Sequence, residues 1–385
     1  MEEIHIAGTG IWYPEDVITN DEIVSSFNAY VDDFNYKNKE AIDSGNTEQL
    51  DHSSSAFIEK ASGIKTRHVI DKKNILDINR MMPLVEHEDE SKLSIHTIVG
   101  IQAAKKAMKA ANVEPSDIDA VIVSAANLQR AYPAIAIEVQ NELGIEGYAY
   151  DMMVGCSSTT FGISNAYSDI ASGKASRVLV INPEITTAHN NLKNRDSHFI
   201  FGDVCTAAVI EKNAKSPNRF KILNAKLKTH FSNNIRNNFG FMNAIEDKEY
   251  TEEELLFVQN GRSVFKEVMP MVASLISEHL EENNLSPNEV EQYWLHQANI
   301  NMNTYVVKKL LGDDFPPERA PNVLEEYANT GSAGSLISFH KYNHLSEGQK
   351  GIICSFGAGY SICSCLLYTS DAADDTPCVD LGGRR

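Results

Sequence analysis

Apolar residues along the chain fall into short continuous runs, separated by stretches with helical spacing. Residues 4–7 form the first run, which stops at Gly8-Thr9-Gly10. Residues 120–124 (AVIVS), 148–154 and 177–182 (RVLVIN) form three more, and 207–210 continues the series. Later runs cover 293–295, 351–356 and 360–366. Residues 91–111 and 157–172 instead repeat apolar positions along one helix face. Unbroken apolar strands alternating with helices predict an α/β protein whose sheet is covered on both faces.

The pattern repeats once. ANVEPSDIDAVIVSAAN (111–127) aligns with NNLSPNEVEQYWLHQAN (283–299), with Asn112/Asn284, Pro115/Pro287, Ala126/Ala298 and Asn127/Asn299 identical. Both segments leave a helix and pass through a turn into a strand, which predicts duplicated halves. The first half is read as 1–220 and the second as 221–365. Two polar segments, 31–55 and 71–90, interrupt the pattern as insertions. The second ends in Glu86-His87-Glu88-Asp89-Glu90, read as a solvated loop in preference to a metal site. Gly8 and Gly10 resemble half of a dinucleotide fingerprint, but residue 13 is Tyr. A tight turn after a strand is the reading there.

Composition narrows the class. The chain has 385 residues, 42% hydrophobic and 23% charged, which excludes a disordered chain, a collagen-like fibre and a small disulfide scaffold. Its net charge of −19 argues against nucleic acid or an anionic membrane as the main partner. The start MEEIHIAGTG lacks the basic and apolar regions of a signal peptide. No run of about 18 apolar residues suggests a membrane span. The six cysteines do not form a CxxC pair, and a cytoplasmic protein with reduced thiols is the expectation.

Four places carry candidate chemistry. Cys156 follows a strand and a glycine and precedes a helical stretch. Unpaired N–H groups and the helix dipole at that position favour a thiolate. A nucleophile and a buried structural thiol both satisfy this segment. His296 ends the strand YWL, where α/β active-site residues commonly sit, but a satisfied buried histidine fits as well. Asn329, in YANTGSAGS, can offer its amide to a carbonyl oxygen or simply cap a turn. Phe356-Gly357-Ala358-Gly359-Tyr360 lets backbone N–H groups approach a ligand, or forms a tight hairpin.

Together and in this order, Cys-x-Ser, His-Gln-Ala-Asn, Asn-Thr-x-Ser-Ala-Gly and Phe-Gly-x-Gly resemble β-ketoacyl-acyl carrier protein synthase III. SGIKTRH, YPAIAIEVQNELGI and HFIFGD extend the resemblance over residues 1–365. It implies a five-layered α-β-α-β-α thiolase fold and a homodimer. It also implies a decarboxylating Claisen condensation of a starter acyl-CoA with malonyl-acyl carrier protein, initiating fatty acid synthesis. The implied triad is Cys156, His296 and Asn329. Cys156 would carry the acyl group, and the other two would stabilise the enolate formed on decarboxylation. Backbone N–H groups of Cys156 and Ala358 would form the oxyanion hole.

By the same resemblance, Tyr132 would cross the dimer interface, and Phe201, Phe356 and Asn299 would line the substrate site. Arg195 would meet the coenzyme A nucleotide, and Lys308 and Lys309 would dock acidic carrier protein. No metal or cofactor is implied beyond acyl-CoA as substrate. A secondary-metabolite ketosynthase, an acyltransferase, a cysteine thioesterase and a non-catalytic acyl-binding protein are the rivals. Three positions depart from the family: Phe57 and Ala61 replace a Trp and an Arg at the adenine, and Asn301 replaces an Arg. Residues 232–243 (SNNIRNNFGFMN) are read as a loop, either at the entrance or on the plain surface. Residues 366–385 lack periodicity and resemble translated sequencing-adaptor read-through. They are read as non-native and without function, with a disordered tail as the alternative.

Overall fold

Nine strands form one mixed sheet in the computed structural model, which describes residues 2–85 and 92–369. They are β1 (Ile4–Trp12), β2 (Ala120–Ser124), β3 (Tyr148–Met152), β4 (Arg177–Glu184), β5 (Val204–Lys212), β6 (Phe220–Lys228), β7 (Gln292–Leu295), β8 (Lys350–Gly357) and β9 (Ser361–Tyr368). Their spatial order is β7-β8-β9-β6-β1-β5-β4-β2-β3. The principal helices are α1 (Asn20–Lys37), α2 (Ile95–Ala111), α3 (Ser158–Ala171), α4 (Gly261–Glu282), α5 (Ile300–Leu311) and α6 (Gly334–Lys341).

The seam between halves is narrow. β1 meets β6 only at His5↔Lys221 and Ile6↔Phe220. The sheet therefore works as two sheets, and α3 and α6 lie between them. Ile163 and Ile170 of α3 and Leu336 and Phe339 of α6 share one core with Ile122 and Val180 on one side and Ile353, Cys363 and Leu367 on the other. Helix α2 covers the outer face of the first half. Helices α4 and α5 cover the outer face of the second. The result is helix–sheet–helix–sheet–helix, the five-layered thiolase fold.

The internal similarity has a local structural counterpart. Asn112 and Asn284 both adopt left-handed backbone, at φ 58° and φ 56°. Each leads into a short 3-10 turn, Pro115–Asp117 or Pro287–Glu289, and then a strand. Asparagine tolerates this conformation better than most residues, which explains its presence at both positions.

Several expectations change. Gly8 and Gly10 are not in a turn, because β1 continues to Trp12. A Cβ on Gly8 would lie 2.4 Å from Ala111 N, and one on Gly10 would lie 2.3 Å from Ala103 O. The glycines let α2 press directly on the strand. Strand β6 was absent from the apolar runs because its pattern, FKILNAKLK, alternates with lysines.

The insertions are not loose loops. Val31 is fully buried in α1, and Ile75 and Met81 join it, Phe27 and Ile58 in a separate small core. The acidic run 86–90 lies outside the described residues. At the other end, β9 runs past residue 365: Leu366 and Leu367 are fully buried, and Tyr368 pairs with Lys350. Residues 366–369 thus belong to the sheet and its edge turn, whereas 370–385 lie outside the described residues.

Candidate active site

Cys156 sits where β3, α3 and the β8–β9 hairpin meet. Gly155 turns the chain at φ 54°, and a Cβ there would reach Ala358 Cβ at 3.0 Å. Ser157 follows and locks the junction, its hydroxyl donating to Ser361 O at 2.7 Å. From across the hairpin Gly357 approaches so closely that a Cβ would lie 2.5 Å from Cys156 Cβ. This close approach is why a glycine is needed there.

The half-buried Cys156 opens into a cavity of ≈ 660 Å³. The backbone N–H groups of Ala358 and of Cys156 itself lie near its sulfur and favour the thiolate. These are the two donors expected for an oxyanion hole. The expectation of a ready thiolate is not met. Burial, and next the nearby Glu184, push the Cys156 thiol up to about 12. The two N–H donors act in the other direction but are outweighed by burial and by Glu184, and the helix begins only two residues later.

His296 follows β7 and is almost fully buried, with its backbone N–H on Cys354 O at 2.8 Å. Its ring stands edge-on to Phe356, with centroids 5.2 Å apart. Burial pushes it down to about 4, so the imidazole is neutral at physiological pH. Asn329 follows Ala328, which is held at φ 58°, a strained value for alanine. Its backbone bridges to Phe201, and its Oδ1 accepts from Gly331 N at 3.1 Å. That bond turns the amide so that Nδ2, without a partner among the described residues, is available as a donor.

Phe201 lines the cavity and meets Phe257 edge-on at 4.9 Å and His189 at 5.3 Å. Phe356 instead packs on His296. Tyr132 is 82% exposed, beside the cavity residues Arg130 and Ala131. Asn299 is committed elsewhere: it caps α5, donating to Ala61 O at 2.5 Å and accepting from Asn301 N at 2.8 Å. Its contacts are structural and it does not line the cavity. Lys308 and Lys309 are exposed on α5, with Lys308 paired to Asp313 at 3.2 Å.

The departures converge in space. Arg195 stacks over Phe57 at 4.3 Å and donates to His52 O at 2.8 Å. Asn301 Nδ2 reaches Ala61 O at 3.4 Å. The stretch 232–243 does reach the site: Ile235, Arg236, Asn237 and Phe239 line the cavity. Part of it is a strand, Ile235–Asn237, paired with Phe257–Gln259. Sequence reading missed Glu184, His189 and Phe257. Glu184 had a signal, an acidic residue ending a buried strand; the other two had none.

Two family models match the chain. The model described as 3-oxoacyl-(acyl-carrier-protein) synthase III matches residues 150–230, and the model of its C-terminal part matches 280–369. A β-ketodecanoyl-(acyl-carrier-protein) synthase of Pseudomonas aeruginosa is 52% identical over 347 residues, 89% of this chain and 99% of that protein.

The chain belongs to the β-ketoacyl-acyl carrier protein synthase III family.

A synthase III of Methylococcus capsulatus is 27% identical, over 94% of this chain and 98% of its own. Among solved structures, synthase III of Aquifex aeolicus has a TM-score of 0.72 at 24% identity, covering 96% of this chain and 100% of its own. The priming β-ketosynthase of the R1128 polyketide pathway has a TM-score of 0.75 at 21%, covering 96% and 97%. Those structures share this fold across both halves.

Proposed function

We propose that this chain condenses a medium-chain acyl-CoA with malonyl-acyl carrier protein, releasing carbon dioxide and coenzyme A and feeding fatty acid synthesis. The observation that carries the reading is Cys156, on the wall of a ≈ 660 Å³ cavity with the backbone N–H groups of Ala358 and Cys156 beside its sulfur. In the first step the Cys156 sulfur attacks the acyl-CoA carbonyl. The carbon–sulfur bond to coenzyme A breaks, and the thiol proton ends on the departing coenzyme A sulfur. The Cys156 and Ala358 amides hold the tetrahedral oxyanion.

In the second step malonyl carrier protein loses carbon dioxide. Neutral His296 and the Asn329 amide donate hydrogen bonds to the enolate oxygen, and the carbanion attacks the acyl-Cys156 carbonyl. A neutral imidazole suits this role because it donates without requiring a buried cation. Phe201 and Phe257 give the acyl chain an apolar wall. Arg195 contacts the coenzyme A nucleotide, and Lys308 and Lys309 face the carrier protein.

The relative from Pseudomonas aeruginosa is named for a ten-carbon β-keto product. The condensation adds two carbons, so the corresponding starter has eight. A cavity of ≈ 660 Å³ gives such a chain ample room. A homodimer through β3 is part of the reading. That strand is the sheet edge, and neighbouring Met153 and Tyr132 are 61% and 82% exposed.

Intact-protein mass after incubation with an acyl-CoA panel tests the reading. One acyl group should add to the protein, most efficiently from octanoyl-CoA, and Cys156→Ser should abolish the addition. Free acid without covalent addition would support a hydrolase instead.

A further inference from the structure

We propose that Glu184 is a positioning residue for the Cys156 site, whose buried carboxyl ties two loops of the cavity wall together and whose charge sets the pH range in which Cys156 reacts. The inference rests on Cys156 being the nucleophile.

Glu184 ends β4 and is 1% exposed. One carboxyl oxygen, Oε1, accepts from Ala126 N at 2.9 Å, from Ser332 N at 3.0 Å and from the Ser332 hydroxyl. Ala126 lines the cavity, and so does Gly331, next to Ser332 and two residues after Asn329. Gly331 sits directly on the carboxyl at φ 57°, where a Cβ would meet Oε2 at 2.6 Å. Thr159 of α3 donates to Ser332 O at 2.7 Å. One carboxyl therefore joins the loop after β2, the loop carrying Asn329 and, through Ser332, the helix that begins behind Cys156.

The titratable groups facing Glu184 are the thiols of Cys156 and Cys205. Its other side-chain partners among the described residues, Ala126, Gly331 and Ser332, carry no charge there. Burial pushes the Glu184 carboxyl up to about 7, and the three donors only partly offset it. Both charge states are then populated near neutrality. The ionised form opposes a thiolate at Cys156 and the neutral form does not.

Iodoacetamide alkylation of Cys156, followed by peptide mass from about pH 5.5 to 9.5, tests this. In the wild type the logarithm of the rate should climb with less than unit slope between about pH 6 and 8, because Glu184 ionises in that interval. Glu184→Gln keeps an acceptor oxygen and removes the charge. It should restore unit slope and speed alkylation at pH 8 by about three- to tenfold. Glu184→Asp keeps the charge and should retain the shallow slope. A Glu184→Gln profile that superimposes on the wild type overturns the proposal. The reagent needs no acyl donor, so the profile decides the role of Glu184 even if Cys156 never accepts an acyl group. That second result would count against the proposed function alone.

Discussion

Arg195 lies over the ring of Phe57, 4.3 Å from its centroid. The inserted segment braces it there through His52 O. At that separation no nucleobase fits between the two side chains, so a base bound at Arg195, as proposed above, would stack outside the pair or displace the guanidinium. Arg195→Ala should raise KM for acyl-CoA about three- to tenfold while leaving KM for the acyl-pantetheine thioester unchanged. Steady-state kinetics with both donors check this. An equal rise for both would remove Arg195 from the nucleotide site.

His296→Ala and Asn329→Ala should separate the two half-reactions. Malonyl decarboxylation should fall about a hundred- to a thousandfold in each, as on removal of an oxyanion donor. Acylation of Cys156 should stay within about tenfold of wild type. Carbon dioxide release and intact mass, measured on the same samples, read the two steps. Equal loss of both would show that the roles are not divided in this way.

Phe257 meets Phe201 edge-on and reaches the cavity from the short strand pair at its mouth. Phe257→Ala removes one aromatic wall. The acyl-CoA giving fastest Cys156 acylation should lengthen by about two to four carbons, since a ring occupies the length of a few methylenes. An acyl-CoA panel scored by mass would expose an unchanged optimum.

Gly357→Ala places a methyl group 2.5 Å from Cys156 Cβ and 3.1 Å from its sulfur. Turning the sulfur does not relieve the contact at Cβ, so the hairpin and the Cys156 turn must move apart, which spoils an attack geometry that tolerates little error. Acylation should drop at least about a hundredfold. Circular dichroism should stay close to native, because the shift is confined to the tip of the β8–β9 hairpin.

Stability should decline on mild acidification. His96, His198, His279 and His296 are nearly fully buried and pushed down to about 4, so the folded chain refuses protons that the unfolded chain accepts below about 6.5. Their contribution is fully present above that value and is lost as pH falls toward 4. Glu184 and Asp203 are pushed up to about 7 and about 6, which works in the opposite sense. Asp151 is raised as well, but the lowered histidines, His189 and His340 included, outnumber the raised carboxyls, so the urea midpoint should fall between pH 7 and pH 5.5. Urea titrations at pH 7 and pH 5.5 measure it, and a higher midpoint at pH 5.5 would contradict it.

The sequence spoke most clearly where one local rule sufficed. Apolar runs located eight of the nine sheet strands, and the asparagines at 112 and 284 marked a shared turn. Strand β6 stayed hidden because lysines on one face dilute its pattern. The glycines at 8 and 10 were misread because their cause is a helix a hundred residues away, pressed against the strand. Cys156 was placed correctly but its charge was not. The helix end is local, whereas burial and Glu184 are products of assembly. Phe257 and His189 reach the cavity only through tertiary contacts, which no spacing rule encodes.

The position of β1 also bears on how the chain is made. It is synthesised before the other sheet strands, yet its two neighbours, β5 and β6, begin about two hundred residues later. At roughly 5–20 residues per second, its edges stay open for about 10–40 s of synthesis. A slow, non-local closure of this kind exposes an apolar strand to wrong partners. Its two inner glycines, already demanded by α2, also weaken its intrinsic tendency to pair prematurely.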